Sequence, residues 1–195
     1  MCLAFAMSDA HMISRELNEH LSAEYLHFHA ARRAGTAINI GVGLEVARDA
    51  LGQDGQPTEL VCAFDARRDP SWSPPIGLAP VWTRTSKVLT GTPSGVLRTN
   101  LLAGRANILV LRISRAFYTP DPATHLVHDD GEFDGRLHAV VVVGVDIIGA
   151  VEALLVRNSW GRGWGDRGHA WLPLSYVDRR CVHVVELEHD AKVGT

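Results

Sequence analysis

The period at which apolar residues recur changes part-way along this chain, and that change limits the architectures open to it. From Cys2 to about Leu21, the residues Leu3, Met7, Ala10, Ile13, Leu17 and Leu21 return every three or four positions, with Ser8, Asp9, Arg15, Glu16 and Glu19 mostly between them. That is the spacing of one buried helix face. Ser22, with Tyr25 and Leu26 behind it, opens a second helical stretch to about Arg33, and Leu44 to Leu51 suggests a third that Gly52 ends. Asp69-Pro70, Pro74-Pro75, Gly77 and Pro80 then crowd a segment, roughly 66–80, that no regular element tolerates for long. Beyond it come short apolar runs rich in β-branched residues: Ile108 to Ile113, His138 to Val145, Ala153 to Val156 and Val182 to Leu187, with Ala170 to Leu172 also strand-like. Leu97 to Leu102 reads as a short helix, and residues 119–134 as a long loop marked by proline and aspartate. Helices first and strands later argue for an α+β fold rather than a doubly wound α/β sheet. The turn-rich segment divides the chain into a helical part, 1–80, and a β-rich part, 81–195.

Composition narrows the partners. The chain has 195 residues, 46% of them apolar and 21% charged, enough for one domain or two small lobes with a packed core. A net charge of −3 with neutral histidines gives no reason to expect nucleic acid or an anionic membrane as partner, and the Arg32-Arg33, Arg67-Arg68 and Arg179-Arg180 pairs read as solvated surface. No apolar run approaches the ~20 residues that span a bilayer, and Met1 to Met7 lacks the pattern of a secretory signal. Cys2, Cys62 and Cys181 cannot all pair and match no zinc spacing, so a reducing, cytoplasmic setting is the simpler expectation.

Three places carry residues able to do chemistry. Cys2 falls in the first turn of the first expected helix, where unpaired amides and the helix dipole stabilise a thiolate; a cysteine there is equally a small core residue. His138 opens an apolar strand, a position that structural histidines also occupy. Asn158-Ser159-Trp160-Gly161 leads through Gly163-Trp164-Gly165 to Gly168. So many glycines and tryptophans in so short a span are costly for simple packing, because glycine loses the most backbone entropy on folding and a buried indole N–H needs an acceptor.

Taken together these segments resemble the papain family of cysteine peptidases, whose members carry a Cys-x-Ala-Phe helix start, a His-Ala-Val strand and an Asn-Ser-Trp-Gly-x-x-Trp-Gly-x-x-Gly block. Here they read Cys2-Leu3-Ala4-Phe5, His138-Ala139-Val140 and Asn158 to Gly168. The histidine and asparagine follow the cysteine by roughly the 130–150 residues usual for this family, the asparagine slightly beyond. Leu21-Ser22-x-Glu24-Tyr25-Leu26 is similar to the stretch after the family's nucleophile helix, and Leu102 to Phe117 to the element before its histidine loop. The resemblance implies a papain-like two-lobe fold, α+β, with a helical left lobe, an antiparallel β-barrel-like right lobe and the active cleft between them. It implies thiol-dependent hydrolysis of peptide or protein substrates, with Cys2 as nucleophile, His138 as acid and base, Asn158 orienting the imidazole and Trp160 shielding their hydrogen bond. Leu137 matches a position bordering the pocket for the second residue on the acyl side of the scissile bond, which suggests an apolar preference.

The sequence departs from the family in places. A glutamine some six residues before the nucleophile normally helps form the oxyanion hole, and only Met1 precedes Cys2; losing one such donor costs roughly 10²–10³ in turnover. The expectation is an N-terminally truncated sequence whose true start lies upstream, or else a degenerate paralogue that binds peptides with little catalysis. Val61-Cys62-Ala63-Phe64 stands where bacterial-type members tend to have an aromatic-proline pair, and His169 replaces a usual tyrosine. An N-terminal-nucleophile hydrolase, with Cys2 exposed by methionine removal, would leave the tryptophan-glycine block unexplained. His27-x-His29 and the set His125, His128, Asp129, Asp130 lack a full ligand complement, and Gly41-Val42-Gly43 lacks the rest of a dinucleotide motif, so no metal and no cofactor is expected.

Overall fold

The computed structural model describes residues 1–129, 131, 133 and 135–188; Asp130, Glu132 and Asp134, which belong to the loop and histidine set above, lie outside the described residues. The described residues divide into two compact units, one of Met1, residues 3–87, Leu187 and Glu188, the other of Cys2 and the described residues between 88 and 186.

The first unit is helical: α1 (Cys2–Ser14), α2 (Ala23–Ala34) and α3 (Leu44–Gln53). Its helices bury small residues, with Ala6, Ala10, Ala30, Ala31, Ala47 and Ala50 all almost inaccessible, so backbones approach closely around Met7, Leu26 and Leu51. Helix α1 ends at Ser14, about two turns short of what the apolar spacing predicts. The Leu17 N–H bonds back to the Met12 carbonyl and the Glu16 N–H to that of Ile13, with Glu16 at φ 54°. This is a Schellman stop with glutamate where glycine is usual, so no sequence signal marks it. Ser22 caps α2 as expected, its hydroxyl accepting the Tyr25 N–H at 3.0 Å. Gly52 lies inside α3 instead of ending it; the turn comes at Gly55, φ 69°, where a Cβ would sit 2.5 Å from the Trp82 carbonyl oxygen. Four of the unit's buried polar groups, Ser8, His11, Ser22 and Gln56, are joined. Arg15 Nε donates to His11 Nε2 (2.9 Å), so the proton of a neutral His11 sits on Nδ1, which donates to Gln56 Oε1 (3.1 Å), and Gln56 Nε2 donates to Ser8 Oγ and the Ser22 carbonyl.

In the second unit the sheet runs in the order β1-β6-β2-β3-β4-β5, with β1 (Ser86–Leu89), β2 (Asn107–Arg112), β3 (Leu137–Ile148), β4 (Val151–Arg157), β5 (His169–Pro173) and β6 (Cys181–Leu187). The β2–β3, β2–β6, β3–β4 and β4–β5 pairs are antiparallel. Every strand expected from an apolar run is present, most of them slightly longer. Helices α4 (Pro93–Leu102) and α5 (Leu174–Arg180) complete the core: Leu97, Tyr176 and Val177 pack with Leu109, Leu111, Val140, Val142, Leu154, Val156 and Leu172. Strand β1, helix α5 and a 3₁₀ turn at Arg115–Tyr118 escape the sequence reading, because each is too short to show a period.

Candidate active site

Strand register brings two of the three reactive groups together. Val141 pairs with Arg157 across β3 and β4, and extending that register by one residue sets Asn158 beside Val140. Alternate strand residues share a face, so His138 stands diagonally next to Asn158. Both are buried, and His138 Nε2 lies 2.8 Å from Asn158 Oδ1. The Ser159 backbone N–H, which can only donate, bonds the same oxygen at 2.8 Å. That fixes which end of the amide faces the ring, and it makes His138 Nε2 the donor. A neutral His138 therefore holds its proton on Nε2 and its lone pair on Nδ1.

Cys2, the first residue of α1, belongs to the same compact unit as these two and is half-buried. The groups that stabilise its thiolate are the His138 side chain, for which Nδ1 is the nitrogen left over, and the Ala139 backbone N–H. Burial pushes the thiol up, but the hydrogen bond and charge of His138, with the Ala139 N–H, outweigh it and bring the pKa from 9.0 down to about 7. Thiol, imidazole and amide thus form one chain with the correct tautomer for proton transfer from sulfur to nitrogen.

The tryptophan-glycine block builds the wall around that chain. The Asn158 N–H bonds the Gly168 carbonyl at 2.9 Å and closes the segment into a loop whose ends enter the β4–β5 pair at Arg157 and His169. Gly165, at φ 54°, is demanded by sterics, since a Cβ there would meet the His169 carbonyl oxygen at 2.0 Å. His169 lies in β5, half-buried. The Trp160 ring centroid lies 4.7 Å from that of His138, and the Phe117 ring meets the imidazole edge-on at 5.6 Å. Trp164 is buried in the core and donates its indole N–H to the Phe117 carbonyl at 2.9 Å.

Residues 123–184 match the profile of the papain family cysteine proteases. The chain superposes on xylellain, a cysteine protease from Xylella fastidiosa, with a TM-score of 0.80 and 16% identity over 97% of this chain and 80% of that one. The fold is papain-like. Digestive procathepsin L 3 of Tenebrio molitor is similar too, with a TM-score of 0.73, 20% identity, and coverage of 95% of this chain and 62% of that one. Among curated proteins, peptidase 1 of Euroglyphus maynei is 36% identical over 66 residues, 34% of this chain. That stretch spans only 20% of the relative's length.

Of the residues singled out in the sequence, Cys2, His138, Asn158 and Trp160 come together. Leu137, which opens β3 immediately before the histidine, is 56% exposed. The Ala139 N–H and the aromatic pair Phe117 and Tyr118 escaped the sequence reading of the site. A backbone donor has no sequence signature, and the pair sits in a single 3₁₀ turn. Among the described residues no group of three histidine, cysteine or acidic side chains could hold a metal, and no helix is long and apolar enough to cross a membrane.

Proposed function

We propose that this chain hydrolyses peptide bonds through a thioester acyl-enzyme. The thiolate of Cys2 attacks the scissile carbonyl carbon, and a C–S bond forms as the carbonyl electrons move to oxygen. The imidazolium of His138 gives its Nδ1 proton to the departing amine while the C–N bond breaks. Water then adds to the thioester with His138 taking its proton, the C–S bond breaks, and the acid leaves with the thiol restored. Asn158 holds the ring through Nε2 in both half-reactions, the part an aspartate plays in serine peptidases. Trp160 keeps that hydrogen bond from water, which strengthens it. Leu137, exposed beside the histidine, favours an apolar residue second on the acyl side of the scissile bond.

The observation that carries this reading is the thiol itself. A half-buried cysteine is brought to about 7 by an imidazole that is also bonded to a buried amide. Its three cysteines, all free, suit a reducing, cytoplasmic setting. The test is treatment with a peptidyl epoxide or vinyl sulfone, followed by mass mapping, alongside turnover of a mixed peptide library. Stoichiometric modification of Cys2, and cleavage lost in Cys2→Ala, are expected. An unmodified Cys2 in a protein that still binds the peptide part of the inhibitor would replace this reading with that of a peptide-binding module.

A further inference from the structure

We infer that Tyr118 is a positioning residue for the proposed reaction, its ring holding the Trp160 indole against His138 so that water is kept from the imidazole–Asn158 hydrogen bond. The inference rests on the peptidase reading above. Trp160 sits two residues past Asn158 in the irregular loop before Gly161, φ 84°, and is 39% exposed, so no strand holds it. Its contacts with Phe117 (90°, 5.5 Å) and Trp164 (82°, 6.1 Å) are edge-on. Among the described rings packed on the indole, only Tyr118 lies parallel to it, with centroids 5.0 Å apart and planes at 15°. Tyr118 is itself anchored on two sides. Its neighbour Phe117 is wholly buried, and Arg136 Nη1, two residues before His138, donates to its hydroxyl at 3.3 Å. The Arg136 carbonyl in turn accepts the Ile113 N–H at 3.2 Å. Tyr118 thus joins the indole to the segment that delivers the histidine.

A stacked aromatic pair is worth enough beyond its buried area to change a population about two- to tenfold. Without Tyr118 the edge contacts remain, so Trp160 is loosened rather than lost. Tyr118→Ala and Tyr118→Leu should lower kcat about two- to tenfold with KM little changed. Tyr118→Phe, which keeps the stack, should restore it. The reading specific to positioning is the proton on His138 Nε2. In wild type its bond to Asn158 gives a downfield proton resonance protected from exchange with water. In the Ala and Leu variants that signal should broaden, while circular dichroism and the melting midpoint stay near wild type. Wild-type kcat and an unchanged resonance in both variants overturn the inference, and so does an equal loss in Tyr118→Phe, which would place the effect in the Arg136 bond. Absence of cleavage and of Cys2 alkylation in the wild-type protein overturns the peptidase reading instead.

Discussion

Replacing His138 by alanine separates the imidazole's contribution from everything else acting on Cys2, and the outcome can be worked through. The thiol lies at about 7 instead of 9.0 because burial, which raises it, is outweighed chiefly by the hydrogen bond and charge of His138. Two pKa units correspond to about 2.7 kcal/mol between the protonation states. In His138→Ala the burial persists and only weaker influences oppose it, so the thiol returns to the neighbourhood of 9.0. At pH 7 the thiolate fraction then falls from about one half to about 1%. Each remaining thiolate is more nucleophilic, by about eightfold for a Brønsted coefficient of 0.4–0.5. The net reaction with a dithiodipyridine should therefore be about sixfold slower at pH 7, equal to wild type near pH 8, and about eightfold faster well above pH 9. Peptide hydrolysis, which needs the imidazole to protonate the amine, should be lost throughout. Stopped-flow rates between pH 5 and 10, with the labelled residue mapped as Cys2, measure both limbs. Profiles that never cross, or an inflection left unmoved by the substitution, would refute the claim that His138 sets the state of this thiol.

Gly165→Ala should cost about 4 kcal/mol or prevent folding, since it combines a left-handed backbone with a carbonyl 2.0 Å from the new Cβ, whereas Gly163→Ala, with nothing within 4 Å, should stay within about 0.5 kcal/mol by urea denaturation. Asp129 accepts from Arg180 and Arg179; burial raises its carboxyl, but the Arg180 hydrogen bond, the Gly131 N–H and the two guanidinium charges hold it below 3.8. A depressed folded pKa contributes stability above the unfolded value that is lost as pH falls through the folded one. Asp129→Asn, which leaves the buried Arg180 without its counter-charge, should therefore destabilise by about 3 kcal/mol at pH 7, and its melting curve should approach that of wild type as pH falls below 3.8 and through the depressed folded value. Leu137→Glu should cut kcat/KM for substrates with an apolar residue second on the acyl side by about tenfold relative to basic ones, roughly 1.4 kcal/mol, and equal losses for both would remove Leu137 from the substrate pocket.

What could be read from the sequence follows the length over which each signal is spread. The runs Ile108 to Ile113 and His138 to Val145 announce β2 and β3 because several β-branched residues agree, and Ser22 announces α2 because a cap hydroxyl has one good use at that place. Helix α1 overran in the reading because its terminator, Glu16, is a left-handed residue with a side chain that gives no warning. The site divides in the same way. His138 and Asn158 are legible only through a block in which a carbonyl contact explains Gly165 but nothing crowds Gly163, while the Ala139 N–H depends on register alone.

The three cysteines make the deciding comparison within one chain. Burial raises all of them. Cys181 has beyond that only the nearby Asp178 charge, which also raises it, and stands at about 11. The Cys62 thiol has the Ser22 hydroxyl and the Arg68 charge nearby, which lower it, but burial and the Glu24 charge raise it and it stays above 9.0. Cys2 alone has an imidazole and a backbone N–H aimed at sulfur, and lies at about 7. Between Cys181 and Cys2 that is about four units, or some 5.4 kcal/mol in favour of the thiolate. At neutral pH a buried thiol without such neighbours is nearly all protonated and inert. Reactivity here is thus a property of what β3 and the Asn158 loop present to one sulfur, and a thiol reagent in limiting amount should label Cys2 well before either of the others.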